Sequence, residues 1–171
     1  MAERSGIITF MGNPLTLVGQ EVSTGSPAPD FQCLDNDLNQ VSLGDFGGKT
    51  CIICSVPSLD TPVCDMETRR FNQDAEKLGD SVKVLTISMD LPFAQARWCG
   101  AAGVENVITL SDHRDASFGM AYGVLIKELR LLSRAVFLVD KNGVLCYQQT
   151  VNEITEEPDY EAVLKAVAEI V

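Results

Sequence analysis

"TCIICSVPSLDTPVCDMETRRFNQDAEKLGDSVKVLTIS", residues 50–88, holds two apolar runs separated by a polar segment with helical spacing. "TCIICSV" (50–56) and "VKVLTIS" (82–88) are continuous and apolar, as strands covered on both faces must be. Between them, Cys64, Thr68, Phe71, Ala75 and Leu78 recur at intervals of four and three, and Gly79 follows. That spacing puts one apolar stripe on a helix, and a glycine just beyond its last turn supplies a stop.

Outward from this unit, "LPFAQARWCGAAG" reads as a short helix opened by Pro92 and broken by its glycines. "NVITLSD" (106–112) is strand-like and "ASFGMAYGV" is a second short helix. "SRAVFLVD" and "GVLCYQQTV" flank Lys141-Asn142-Gly143, and Asn-Gly marks a hairpin turn. "EPDYEAVLKAVAEIV" closes the chain as an amphipathic helix, its acidic start suited to a helix N-terminus. Before residue 50, "ITFMG" and "LTLVG" form a small hairpin turning at Gly12-Asn13-Pro14. A strand is expected near Phe31–Leu34, after the "GSPAPDF" loop, and another within "QVSLGDF". Strands and helices that alternate, followed by an antiparallel hairpin and a last helix, imply a mixed central sheet with helices on both faces. This is a thioredoxin-like α/β fold with an N-terminal β-hairpin, expected as one domain over residues 1–171.

The bulk properties exclude several classes of function. Thirteen basic against 24 acidic residues give a net charge of −11, the wrong sign for neutralising nucleic-acid phosphates. No apolar stretch approaches the roughly 18 residues of a membrane span. The N-terminal "MAERSGIITF" lacks the pattern of a secretion signal. Six cysteines without such a signal point to a reducing, cytoplasmic setting, where thiols serve reactivity or packing.

Three of those thiols, Cys51, Cys54 and Cys64, lie within fourteen residues. The Cys51-x-x-Cys54 pair has the spacing of a redox motif or half a zinc site. A strand, however, sends residues i and i+3 to opposite faces, so these two can share neither a disulfide nor a metal without breaking it. Cys64 is placed differently. Thr61 suits an N-cap and Pro62 the first helical position, which puts Cys64 in the first turn. Unpaired backbone N–H groups and the positive end of the helix dipole favour an anion there, and a thiolate is one. A strand, a loop and Cys-x-x-Cys at a helix start is the thioredoxin pattern, and Thr61 occupies the place of its first cysteine. Spacing alone leaves open that Cys64 is simply a buried helix-start residue. By the same reading Cys99, beside Trp98, is a packing residue and Arg134 a polar strand end. The sole histidine, His113, is assigned to a surface or loop position, and Cys33 and Cys146 to the core or to strands.

"PSLDTPVC", Pro57 to Cys64, matches the P-x-x-x-[TS]-x-x-C motif of peroxiredoxins. "DLPFAQARWCGAAG" and "NVITLSDHRDASFGMAYGV" resemble the thiol peroxidase subgroup, the bacterial atypical two-cysteine peroxiredoxins. "GNPLTLVG" and "EITEEPDYEAVL" extend the resemblance to nearly the whole chain. The resemblance implies that Cys64 is the peroxidatic cysteine, with Thr61 holding peroxide and sulfur in line. Pro57 would shield the pocket and Arg134 would lie near the thiolate. Cys99 would be the resolving cysteine, attacking the Cys64 sulfenic acid within the same chain. It further implies reduction of hydrogen peroxide and organic hydroperoxides, recycling by thioredoxin, a homodimer, and no metal or organic cofactor. A general thiol–disulfide oxidoreductase is the alternative, though it would favour a cysteine where Thr61 stands, and a redox sensor would share the first step. The segment "LIKELRLLSRAV", which contains Arg134, is short for the subgroup.

Overall fold

The computed structural model describes residues 1–171. The 50–88 unit forms as read: β5 (Thr50–Ser55), α1 (Pro62–Leu78) and β6 (Val82–Ser88), with β5 and β6 parallel. Before it come β1 (Glu3–Phe10), β2 (Asn13–Val18), β3 (Gln32–Leu34) and β4 (Gln40–Ser42). After it come α2 (Pro92–Ala102), β7 (Val107–Ser111), α3 (Ser117–Ala121), β8 (Leu125–Ile126) and β9 (Leu131–Leu132). The chain ends with β10 (Ala135–Val139), β11 (Leu145–Thr150) and α4 (Tyr160–Ala168). Seven strands form a mixed sheet in the order β11-β10-β5-β6-β7-β3-β4. Only β5, β6 and β7 run parallel to one another; β10 joins β5, and β3 joins β7, antiparallel.

Alternation along the central strands separates two cores. Cys51 and Ile53 of β5, with Phe137 of β10, face Phe118 and Tyr122 around α3. Ile52 and Cys54, with Val136 and Leu138, face Phe71 of α1 and Val163 and Val167 of α4. The two cysteines therefore lie in different cores on opposite faces of one strand. Burial pushes the Cys51 thiol up to about 11, and burial together with the Glu67 charge pushes Cys54 well above its usual range. Both are held as neutral packing groups. Cys33 is raised likewise, by burial and by Asp112, to which its thiol donates at 3.6 Å.

Two local expectations are corrected, and one segment left unread in the sequence takes a defined form. The first hairpin turns at Met11-Gly12, because Phe10 pairs with Asn13, and Asn13 and Pro14 already belong to β2. Met11 and Gly12 both have positive φ, 50° and 80°, the geometry that matches the twist of flanking strands. The helix after Pro92 is not broken by Gly100; it runs to Ala102 and stops at Gly103, which is left-handed at φ 66°. The segment "LIKELRLL" contains β8 and β9, a tight hairpin whose β8 edge pairs with β2. The N-terminal hairpin is thereby half of a four-stranded sheet, β1-β2-β8-β9.

Candidate active site

Arg134 occupies the first position before β10 and is only 1% exposed. A guanidinium buried this deeply needs acceptors around its whole fork. Nη1 meets Glu67 Oε2 at 2.5 Å; Nε and Nη2 donate to the Ile154 carbonyl at 3.1 and 2.8 Å. Nη2 also donates to Cys64 Sγ at 3.4 Å. Burial alone works against the charge on Arg134, but its contacts with Glu67 and Cys64 more than offset that and raise its pKa. The same burial pushes the Glu67 carboxyl up to about 7, with Arg134 pulling in the opposite direction.

The second side of the site is the start of α1. Thr61 is the N-cap residue, with extended φ and ψ of −111° and 147°, and Pro62 follows it. Its hydroxyl does not cap the helix. It donates to the Ser58 carbonyl at 2.9 Å, so the first-turn amides have no side-chain acceptor. The hydrogen of the Thr61 hydroxyl is thus committed, and toward the cleft that oxygen offers lone pairs. Cys64, wholly buried, forms a small cluster with Val56 and Leu59, against which Trp98 packs.

A cleft of about 400 Å³ opens above these groups, lined by Phe10, Pro57, Thr61, Val63, Leu131 and Arg134 among others. Its exposed wall is almost entirely apolar. Phe10 reaches it from the tip of the first hairpin and Leu131 from β9. The four residues Pro57, Thr61, Cys64 and Arg134 are thus gathered in one place.

Cys99 is not gathered with them. It lies in α2, half-buried, with Sγ 3.4 Å from Thr109 Oγ1, which in turn donates to Asn36 Oδ1 at 3.1 Å. Its neighbour Trp98 packs instead against the cluster of Val56, Leu59 and Cys64 and donates from Nε1 to Asp65 Oδ1 at 2.9 Å. Both Cys64 and Cys99 are free thiols.

Glu67 went unnoticed in the sequence. Its signal was present: it stands three residues after Cys64 on the stripe that carries Thr68 and Phe71, where a carboxylate has no solvent. A charge on an apolar helix face asks for a partner, and Arg134 is that partner. His113, at the end of β7, has Nδ1 2.9 Å from Ser111 Oγ and no role at Cys64. No group of His, Cys, Asp and Glu side chains is arranged to hold a metal ion.

Residues 23–164 match the Redoxin family. The chain is 60% identical to a thiol peroxidase of Bacillus subtilis over 164 residues, 96% of this chain and 98% of that protein. It is 57% identical to a thiol peroxidase of Staphylococcus aureus, over 95% of this chain and 98% of that one. Its fold superposes on a peroxiredoxin-like protein from Aquifex aeolicus with a TM-score of 0.90 at 42% identity, covering 98% and 99% of the two chains. With matches of this identity over nearly its full length, the chain belongs to the Redoxin family, within the thiol peroxidases, and is a thiol-dependent peroxidase of the peroxiredoxin type.

Proposed function

We propose that Cys64 is the peroxidatic nucleophile and Cys99 the thiol that resolves it. The observation that carries this reading is the Arg134–Cys64 contact, a fixed cation 3.4 Å from a buried sulfur at the first turn of a helix. The cation and the free first-turn amides lie where negative charge passes during attack on a peroxide. A peroxide descending the cleft passes Pro57 and meets Thr61 and Arg134. The Thr61 oxygen accepts a hydrogen bond from the peroxide O–H, and Arg134 donates to the oxygens as charge moves from sulfur to the leaving group. The sulfur bonds to the terminal oxygen, the O–O bond breaks, and the departing oxygen leaves as alcohol or water after taking a proton. Cys64 is left as a sulfenic acid, two electrons oxidised. The Cys99 thiol then attacks that sulfur, forming the Cys64–Cys99 disulfide and releasing water.

A dithiol protein of the thioredoxin class returns both cysteines to thiols and becomes a disulfide itself. The apolar wall of the cleft supports organic hydroperoxides as substrates alongside hydrogen peroxide, since an alkyl chain finds contact there. A cytoplasmic location fits the thiol-rich sequence, and a homodimer belongs to the same reading.

The test is to treat the reduced protein with one equivalent of cumene hydroperoxide and map its peptides without reduction. A Cys64–Cys99 link within one chain is the expected product. Oxidation that stops at Cys64 would remove the resolving role of Cys99, and a Cys51–Cys54 link would overturn the assignment of both.

A further inference from the structure

At the carboxyl ends of β5, β6 and β7 one carboxylate gathers donors from several segments. Asp90 Oδ1 accepts from Ser58 Oγ at 2.7 Å; Oδ2 accepts from the Leu59 amide at 2.8 Å and Ser88 Oγ at 2.7 Å. Its carbonyl accepts from Ser111 Oγ. Two of these donors, Ser58 and Leu59, belong to the loop that leads into α1, and the Ser58 carbonyl in turn holds both the hydroxyl and the amide of Thr61. In the other direction Asp90 directly precedes Leu91, the N-cap of α2. That end of α2 is fastened by the buried Gln95, which donates to Ser88 Oγ at 3.0 Å and to the Leu110 carbonyl at 2.9 Å.

We propose that Asp90 is a positioning residue that latches the Cys64 loop to the base of the Cys99 helix, and so sets how often the two open for disulfide formation. The inference rests on the peroxidase cycle proposed above. Peroxide chemistry needs the closed arrangement, with Thr61 and Arg134 beside Cys64. A disulfide needs the two α-carbons within about 7 Å and the sulfurs facing each other, whereas the Cys99 thiol of the closed form faces Thr109. The loop and the start of α2 must therefore part from their present contacts. A carboxylate that accepts two hydrogen bonds across that seam, from Ser58 and Leu59, and is braced by a third from Ser88 opposes parting, because each charge-assisted bond is stronger than its neutral counterpart.

The two steps respond unequally to a weaker latch. The closed form dominates, so its population, and with it the first step, changes little. The open form is scarce, so its population rises by the full factor. Asp90→Asn removes the charge while keeping the shape. It is expected to speed formation of the Cys64–Cys99 disulfide by about tenfold, and to leave sulfenic acid formation within about twofold of the wild type. Faster capture of the sulfenic acid also lowers the yield of Cys64 sulfinic acid at high peroxide.

Stopped-flow fluorescence reads both steps, since Trp98 is the only tryptophan, directly precedes Cys99 in α2 and packs against the cluster that holds Cys64. Mass spectrometry counts the sulfinic acid. Ser58→Ala, which removes one of the three bonds and spares the fold, is expected to act in the same direction by a smaller factor. A residue that only stabilised the fold would slow both steps as the melting temperature fell. Disulfide formation that is unchanged or slower in both variants, in a protein whose wild type forms the bridge, overturns the latch. If the wild type forms no Cys64–Cys99 bridge at all, the resolving role of Cys99 fails first and the latch with it.

Discussion

Arg134 and Glu67 stabilise one another at a depth where neither could remain charged alone. Arg134 is 1% exposed and Glu67 is fully covered. Glu67 has one oxygen on Arg134, and Oε1 has no partner, so its carboxylate is incompletely compensated and burial pushes its pKa to about 7. A carboxyl whose pKa rises from 4.5 in the unfolded chain to about 7 on folding stabilises the native state below pH 4.5. That contribution is lost as pH rises through 7. Measured against Glu67→Gln, which has no such titration, the wild type is expected to lose roughly 2 kcal/mol between about pH 5 and about pH 7.5 in urea unfolding. Equal pH dependence in the two proteins would mean that Glu67 stays ionised throughout. Arg134→Lys tests the other partner. A single ammonium cannot span Cys64, Glu67 and Ile154 together, and a fall of about 100-fold in the rate of Cys64 oxidation is expected, read by competition for peroxide. Of this pair, Arg134 was visible only through family resemblance, because an arginine at a strand end says nothing locally. Glu67 was visible in principle, as a charge on an apolar stripe.

At the scale of elements, legibility followed length. β5, α1 and β6 each carry enough residues for a period to show, and the face separation of Cys51 and Cys54 followed directly from alternation. β8 and β9 have two residues each, too few for any period, and their pairing with β2 is decided by tertiary contact. The first hairpin was seen, but not what fixes it. Glu153, in the loop after β11, accepts from the Met11 and Gly12 amides at 3.0 and 3.1 Å and from Thr9 Oγ1 at 2.7 Å. The next residue, Ile154, donates its amide to the Thr9 carbonyl and supplies the carbonyl that holds Arg134. The hairpin tip, the cleft wall at Phe10 and the arginine cradle are thus one mechanical unit. Hydrogen bonds from Thr9 and Gly12, against a small opposing effect of burial, hold the Glu153 carboxyl down at about 2. The clamp is complete above pH 4.5 and weakens as pH falls toward 2. Glu153→Ala is expected to speed amide exchange at Met11 and Gly12 by about tenfold or more while leaving β5 and β6 protected. Unchanged exchange at the tip would show that strand pairing alone holds the hairpin.

For the whole molecule, the proposed disulfide sets two effects against each other. Linking positions 64 and 99 closes a loop of about 35 residues, and the loss of unfolded-chain entropy favours the oxidised protein by roughly 3.5–4 kcal/mol. Against this stands what the closed form gives up. Cys64 leaves a fully buried site, Arg134 loses one acceptor, Cys99 leaves Thr109, and the Asp90 and Trp98 contacts along the α1–α2 seam are broken or rearranged. Removing a buried arginine's acceptor and exposing a packed side chain cost about 1–3 kcal/mol each, and the Cys99, Asp90 and Trp98 contacts add to them, so the losses together are expected to exceed the entropic gain. The oxidised protein is expected to melt below the reduced one, an inversion of the usual effect of a disulfide, and calorimetry of the two forms decides it. A disulfide form that melts well above the dithiol form would mean that the bridge closes with little disturbance of α1 and α2. The lower stability expected of the oxidised form is also what makes the bridge easy to reduce, because strain released on reduction raises its potential toward that of a dithiol donor. Rapid turnover and a stabilising cross-link are therefore alternatives for this fold, and the placement of Cys99 against Thr109, away from Cys64, favours turnover.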